Sequence, residues 1–210
     1  MLEKTGSSFA RNANRPLTGV AEHMRIGISG GRGSFTEEAA NEHCKLAQIT
    51  GPRLEYLTFV EQVLEALEKG TIDIGIFAIE NSNGGVVLEY LPAIGKHRFD
   101  VIKTFEIPVH HMLLVLPGKK REDVKVITSQ KQALLQCRLY LRRMWPNTEI
   151  SEYIDTATSA KDLAEGVLPP ETAVVASRAC AKLYDLEILE ESIQDSKFNF
   201  TTFIVASRLD

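Results

Sequence analysis

Asp73-Ile-Gly-Ile-Phe-Ala-Ile-Glu-Asn-Ser-Asn-Gly-Gly-Val86 is the stretch on which the reading of the chain turns. Residues 74–79 form an unbroken apolar run, the pattern of a strand covered on both faces rather than wet on one. The run stops at Glu80, Asn81 and Ser82, so a carboxyl, an amide and a hydroxyl stand together where the strand ends. Gly84 and Gly85 then permit a sharp turn or a close approach of backbone to a ligand. In open α/β sheets, ligands bind at the carboxyl ends of the strands. The same three polar residues would also serve simply to end a strand and cap the next helix. Taken alone, they do not choose between the two roles.

Working outward, residues 25–29 read as a strand and Gly30-Gly-Arg-Gly33 as a turn. Ser34 stands three residues before Glu37, a capping-box spacing at the head of a helix. The free amides of such a unit suit an anion. The spacings of a dinucleotide fingerprint and of a phosphate loop are both absent, which favours a carboxylate over a nucleotide. Residues 53–57 suggest a second strand, Thr58 and Glu61 repeat the cap spacing, and Val60, Val63, Leu64 and Leu67 follow at helical intervals before Gly70. Beyond the opening stretch come a short or broken helix over 88–96, and extended segments over 101–107 and 111–116 joined across Pro108. That junction suits a crossing between two lobes. A strand over 125–128 leads to Ser129, which has cap spacing to Gln132, and to a helix through Met144 with Gln136 one turn beyond Gln132 on the same face. A strand over 149–153 ends at Asp155, Thr156 and Thr158, residues 173–176 form another before Ser177, and residues 199–206 close the chain.

This alternation predicts α/β layers with mainly parallel sheets. Polar groups recur just after strands: Ser29 to Ser34, Glu80 to Ser82, Ser129, and Thr156. Each alone is a helix cap. Facing one crevice, they would form a binding site.

At 210 residues the chain has room for one large domain or two small lobes. A formal charge of -4 leaves no footprint for nucleic acid or for an anionic membrane surface. No apolar run approaches the roughly 20 residues of a membrane span. Cys44, Cys137 and Cys180 are widely spaced and read as small buried hydrophobes in a reducing, cytoplasmic setting, without zinc or disulfide pattern. His110 and His111 are adjacent, so on a strand they point to opposite faces, one partly buried and the other near the cleft. No metal is assigned. Residues 1–23 are polar and unpatterned, and read as a disordered leader.

Separated motifs, in order, then carry a resemblance. Gly30-Gly-Arg-Gly-Ser-Phe-Thr-Glu-Glu-Ala-Ala40, Glu80-Asn-Ser-Asn-Gly-Gly85, Ser129-Gln-Lys-Gln-Ala-Leu-Leu-Gln-Cys137, Asp155-Thr-Ala-Thr-Ser-Ala160, Ile193-Gln-Asp195 and Asn199-Phe-Thr-Thr-Phe203 together resemble the catalytic domain of prephenate dehydratase over residues 24–208. The resemblance implies a two-lobed fold like the type II periplasmic binding proteins, with the site in the cleft. The first lobe would take residues 24–107 plus part of the C-terminal segment, and the second residues 108–190. It implies decarboxylating dehydration of prephenate to phenylpyruvate in phenylalanine biosynthesis, with no metal, nucleotide or redox cofactor. It places Thr201 at the reaction centre, with Glu80 as a rival acid if protonated in a dry site. It gives Asn81, Ser82, Ser129, Gln136, Thr156, Thr202 and Phe203 to substrate binding. It is compatible with a homodimer.

Two departures bear on the substrate. Thr202 stands where the family has an arginine, and Gln130-Lys131 replaces His-Pro, with Lys131 or Arg32 as candidate compensating cations. Arogenate, a related substrate, and a non-catalytic ligand-binding relative therefore remain as alternatives. Family members often continue into a phenylalanine-sensing ACT domain. The sequence to Asp210 implies none within this chain, and no chorismate mutase segment before it.

Overall fold

The computed structural model describes residues 23–209, and the leader expected over residues 1–23 lies outside the described residues apart from His23. Two sheets organise the chain. The first has the order β2-β1-β3-β11-β5, from strands β1 (Arg25–Ser29), β2 (Arg53–Leu57), β3 (Ile74–Asn81), β5 (Phe99–Pro108) and β11 (Phe200–Arg208), with the short β4 (Gly85–Val86) on β3. The second has the order β10-β6-β9-β7-β8, from β6 (Met112–Val115), β7 (Val126–Ser129), β8 (Glu149–Glu152), β9 (Thr172–Ala176) and β10 (Glu187–Glu190).

Helices cover both faces of each sheet, which is why β3 reads as a continuous apolar run. α1 (Phe35–Leu46) closes one face of the first sheet over Ile26, Ile28, Ile74 and Ile76. α2 (Val60–Glu68) and α3 (Leu91–Lys96) close the other over Phe77 and Ile204. α2 lies so close to β3 that a Cβ on Gly75 would stand 2.6 Å from Val63 Cγ1. In the second lobe α4 (Lys131–Gln136) and α5 (Arg138–Met144) cover Leu113 and Ile127, while α6 (Thr156–Ala164) and α7 (Arg178–Leu183) cover Leu114 and Val174. Each fully buried aliphatic or aromatic side chain contributes about 1.5–3 kcal/mol, so each lobe has its own source of stability.

The sheets are mixed, not mainly parallel. β1 pairs in parallel with β2 and β3, and β7 with β8 and β9. The return strand β11 is antiparallel to β3 and β5, and β6 is antiparallel to β9 and β10. The chain leaves the first sheet after β5, builds the whole second sheet, and comes back to insert β11 between β3 and β5. The two crossings bond to each other: Val109 N–H donates to Asn199 O (2.8 Å) and Ile193 N–H to His111 O (2.9 Å).

The lobes also meet away from these crossings. Gly33 O, at the end of the glycine turn, accepts from Ser177 Oγ (2.5 Å) and Cys180 Sγ (3.3 Å). Tyr184 O–H donates to Arg32 O (3.0 Å). Gly33 has φ +84°, and a Cβ there would stand 2.8 Å from Cys180 Sγ, so glycine is required twice over.

Helix starts agree with the sequence at α1 and α7, while at α6 the cap is Asp155, one residue before the expected Thr156. Ser34 Oγ accepts from Glu37 N–H (3.2 Å), Asp155 Oδ1 from Ala157 and Thr158 N–H (2.8 Å each), and Ser177 Oγ from Cys180 N–H (3.1 Å). Two further expected caps are corrected. α2 starts one residue later than Thr58 implies, with Phe59 N–H donating to the Gln62 side chain (3.2 Å). Ser129 does not cap α4. It is the last residue of β7, fully buried, and its hydroxyl is drawn to Val175 O on the neighbouring strand (2.5 Å). The expected long helix to Met144 is also broken at Cys137, where α4 ends and α5 begins.

Candidate active site

A cavity of about 580 Å³ opens between the lobes, at the carboxyl ends of β1, β3, β7 and β8. Asn81, Gln136, Thr156, Thr201 and Phe203 line it. Strand alternation decides which predicted residues reach it. Thr201 and Phe203 face the cavity, so Thr202 faces away and directs its hydroxyl to Glu106 Oε1 (3.3 Å). Asn81 is buried at the floor, so Glu80, its neighbour on β3, points out to solvent. The expectation of a protonated Glu80 in a dry site therefore fails. Thr202 likewise offers nothing to a ligand in the cavity. Ser82 is exposed and tethers the turn: it accepts from Phe200 N–H (2.9 Å) and donates to Phe198 O (3.1 Å). Ser129 sits behind the cavity wall, occupied by Val175.

Hydrogen bonds connect the cavity-lining groups in one direction. Asn81 Oδ1 accepts from Asn83 N–H and Gly84 N–H (2.9 Å each). Backbone amides only donate, so the Asn81 NH₂ must face the other way, toward Asn199 Oδ1 (2.7 Å), Phe200 O (3.0 Å) and Thr201 Oγ1 (2.9 Å). Thr201 Oγ1 is thus an acceptor from Asn81, and its own proton is left for an acceptor in the cavity. Asn199 Nδ2 donates to Val109 O and to Gln136 Oε1 (3.0 Å each), and His111 Nε2 lies 2.7 Å from the same Gln136 oxygen. The chain Thr201–Asn81–Asn199–Gln136–His111 spans the junction of the two lobes.

Sequence reasoning missed Asn199 and His111 as site residues, although Asn199 opens one of the quoted motifs. Of the adjacent histidines, His110 is exposed and His111 buried, and the buried one is the one that lines the cavity. Burial pushes its pKa down to about 4, with the Gln136 bond acting in the opposite sense. Ser29 was noted only as a strand tip. Its hydroxyl is buried at the cavity without a partner among the described residues. Beside it, Phe35 and Thr36 begin the 12-residue α1, and their amides find no hydrogen-bond acceptor among the described residues.

Among the described residues, Lys131 is the only lysine or arginine lining the cavity, and Arg32 stands outside it near Tyr56. Glu61, Glu89, Glu152 and Asp155 also line it. Glu61 is paired with Lys96 and His97, and Asp155 is held by the α6 amides. Among the described residues, no three His, Cys, Asp or Glu stand together as a metal-ligand set, and no helix is long and apolar enough to cross a membrane.

With this geometry in view, comparisons with known proteins are informative. The family model for prephenate dehydratase matches residues 26–210. Arogenate dehydratase 1 of Petunia hybrida is 33% identical over 187 residues, covering 88% of this chain and 42% of that protein. The chain spans about half the length of the curated relatives it matches. The crystal structure of prephenate dehydratase from Arthrobacter aurescens, in complex with L-Phe, superposes with a TM-score of 0.77 at 30% identity, over 89% of this chain and 60% of that one. A nutrient binding protein from Burkholderia cenocepacia bound to methionine has a TM-score of 0.50 at 14% identity, over 88% and 84% of the two chains, and shares the two-lobed periplasmic-binding-protein fold alone. The chain belongs to the prephenate dehydratase family.

Proposed function

We propose that the chain catalyses the decarboxylating dehydration of prephenate to phenylpyruvate, in the cavity between a lobe of residues 24–107 plus β11 and a lobe centred on residues 108–190. The observation that carries this reading is the Thr201 hydroxyl, which accepts from Asn81 at 2.9 Å and so keeps its own proton for a ligand. In the reaction, the bond from the ring to its carboxylate breaks and carbon dioxide leaves. The electron pair passes into the ring, and the C–O bond at the opposite ring carbon breaks. The departing oxygen takes a proton and leaves as water. Thr201 donates to that oxygen as negative charge grows on it, a role typically worth about 10²–10⁴-fold. Gln136, whose Oε1 already holds two donors, presents its NH₂ to the substrate. Thr156 and Phe203 complete the walls. The Ser29 hydroxyl, the Phe35 and Thr36 amides and Lys131 supply donors and positive potential for the substrate's carboxylates.

A second reading, arogenate as substrate, is favoured by a specific observation. Among the described residues, Glu89 and Glu152 line the cavity with Lys131 as its only lysine or arginine, and arogenate carries an ammonium group that prephenate lacks. Both readings are tested together. Purified protein is given prephenate, then arogenate, and phenylpyruvate or phenylalanine is followed by absorbance. A larger kcat/KM for arogenate would make the second reading the correct one. Turnover of neither would remove both and leave a ligand-binding relative.

The three cysteines are free and buried, which supports a reducing compartment such as the cytoplasm. A homodimer is part of the proposal, and a monomer in sedimentation at working concentration would remove it.

A further inference from the structure

His111 plays no part in bond making as described above, yet its ring is buried where the two crossings meet. Its backbone is held on both sides: its N–H donates to Gln194 Oε1 (3.0 Å), and its carbonyl accepts from Ile193 N–H (2.9 Å). The ring packs T-shaped against Phe35 of α1, with centroids 5.1 Å apart and planes at 88°. The ring therefore touches the first lobe through Phe35 and the second through Gln136.

The proton on this ring is placed by the backbone. Val109 O can only accept, so Asn199 must turn its NH₂ toward it. That same NH₂ donates to Gln136 Oε1. Gln136 therefore presents oxygen, not nitrogen, to His111 Nε2 at 2.7 Å, and Nε2 must carry the proton. Nδ1 is left bare and buried without a partner among the described residues.

The opposite arrangement is informative. With the proton on Nδ1, Nε2 would become an acceptor and would draw the Gln136 NH₂ toward it. That NH₂ would then confront the Asn199 NH₂, donor against donor. The Gln136 oxygen would face the cavity, repelling a carboxylate or a departing hydroxide. Only the Nε2-protonated ring is therefore compatible with a Gln136 that offers the substrate a donor.

We propose that His111 is a positioning residue for the dehydration: its Nε2–H holds the Gln136 amide oxygen inward, in register with the polarity that backbone groups give Asn199 and Asn81, so that the Gln136 NH₂ faces the substrate. It does not touch the reacting atoms. The role rests on the dehydratase reading above.

The test combines three measurements on the whole chain. In ¹⁵N NMR of the unaltered protein, His111 is to show a pyrrole-type, protonated Nε2 and a pyridine-type Nδ1. In kinetics, His111→Leu is expected to lower kcat/KM by about 10–100-fold, the scale of a misplaced catalytic group. His111→Gln, whose amide nitrogen can reach the position of Nε2, is expected to stay within about threefold of wild type, since the donor to Gln136 is kept. Because His111 acts through Gln136, the double variant His111→Leu/Gln136→Met is expected to be no slower than Gln136→Met alone. A protonated Nδ1, an additive double variant, or a well-folded His111→Gln as slow as His111→Leu would each overturn the proposal. If the wild type turned over neither prephenate nor arogenate, the function would fall. The NMR readout would still decide whether the chain of bonds has the stated polarity.

Discussion

Replacing Thr201 by valine exchanges a hydroxyl for a methyl of similar size, and the structure predicts that rate and stability will part company. Thr201 is buried and its Oγ1 accepts from Asn81 Nδ2, so a loss of stability would be the first expectation. Yet that nitrogen has two hydrogens and three acceptors: Asn199 Oδ1 at 2.7 Å, Phe200 O at 3.0 Å and Thr201 Oγ1 at 2.9 Å. Removing one acceptor leaves both hydrogens with partners, so no buried donor is orphaned. The net loss should stay near that of one ordinary hydrogen bond, about 0.5–1.5 kcal/mol, and β-branched valine suits the strand. For a chain of this size that is a fall in Tm of only about 2–5 °C. The rate should fall by about 10²–10⁴, or about 3–5 kcal/mol of transition-state stabilisation, because the donor to the departing oxygen is gone. Thr201→Ser keeps the hydroxyl and should remain within about tenfold of wild type. The assays are phenylpyruvate formation under saturating prephenate and thermal unfolding of the same preparations. A Thr201→Val protein that turns over within tenfold of wild type would refute the assignment of this hydroxyl as the proton donor.

Other outcomes follow from the same geometry. Glu80→Gln should change kcat less than about threefold, since the carboxyl points to solvent, and a hundredfold loss would restore it as the acid. Thr202→Arg should leave KM unchanged and raise Tm by about 1–3 °C, because position 202 is paired across the ladder with Glu80 and Glu106, and a guanidinium there would meet two exposed carboxylates. A lowered KM would show instead that residue 202 reaches the substrate. Gly33→Ala should cost about 1–3 kcal/mol in urea unfolding, from a positive φ and a clash with Cys180, and an unchanged midpoint would mean the turn is not clasped to α7. Acid should destabilise the fold through His111, whose pKa is pushed down to about 4 from 6.5 by burial. Its contribution is full above pH 6.5, where neither state binds the proton. It is lost as pH falls toward 4, where only the unfolded chain is protonated, by about 3 kcal/mol in all. His43, also buried and shifted down, acts in the same direction. Urea midpoints at pH 7 and pH 4.5, compared between wild type and His111→Gln, should converge at the lower pH, and parallel behaviour would count against a buried neutral ring.

Local pattern carried much of the fold because each local rule acted on neighbours in sequence. The apolar run at 74–79 became β3, Ser34 capped the helix its spacing to Glu37 announced, and Ser177 stands at the head of α7. What local pattern lacked was a rule for which face each strand tip shows. Glu80 and Asn81 are adjacent on a strand, so both could not face one cavity, and only the burial of Asn81 reveals which one does. Ser129 had a cap's spacing but is fully buried, and a buried hydroxyl goes to the nearest strong acceptor, here the carbonyl of a strand 46 residues away. Asn199 and His111 gave no periodic signal, because their roles arise where crossings separated by most of the second lobe touch. The insertion of β11 between β3 and β5 is of the same kind: nothing near residue 200 announces a partner 120 residues earlier.

The two departures from the family's pattern have different weights once their places are known. An arginine at position 202 would lie on the face of β11 that carries Glu80 and Glu106 as ladder partners, so its replacement by threonine removes a counter-charge from the outside of the first sheet. It does not empty the cavity of a carboxylate clamp. The change to Gln130-Lys131 acts inside: Gln130 reaches Glu89 across the cleft at 3.3 Å, and Lys131 lines the cavity. A chain that loses a surface cation and gains a cavity cation has kept its means of attracting an anionic substrate. Lys131 is a mobile point charge, and the first-turn amides of α1 are fixed dipoles, so long-range attraction and close-range fit are assigned to different groups. On this division, Lys131→Met should raise KM and steepen neither the loss of kcat nor that of stability. Ser29→Ala, beside those amides, should instead lower the discrimination between prephenate and arogenate by removing a hydroxyl that has no partner among the described residues. Equal effects of the two variants on KM and on substrate preference would mean that the two groups grip the same carboxylate in the same way.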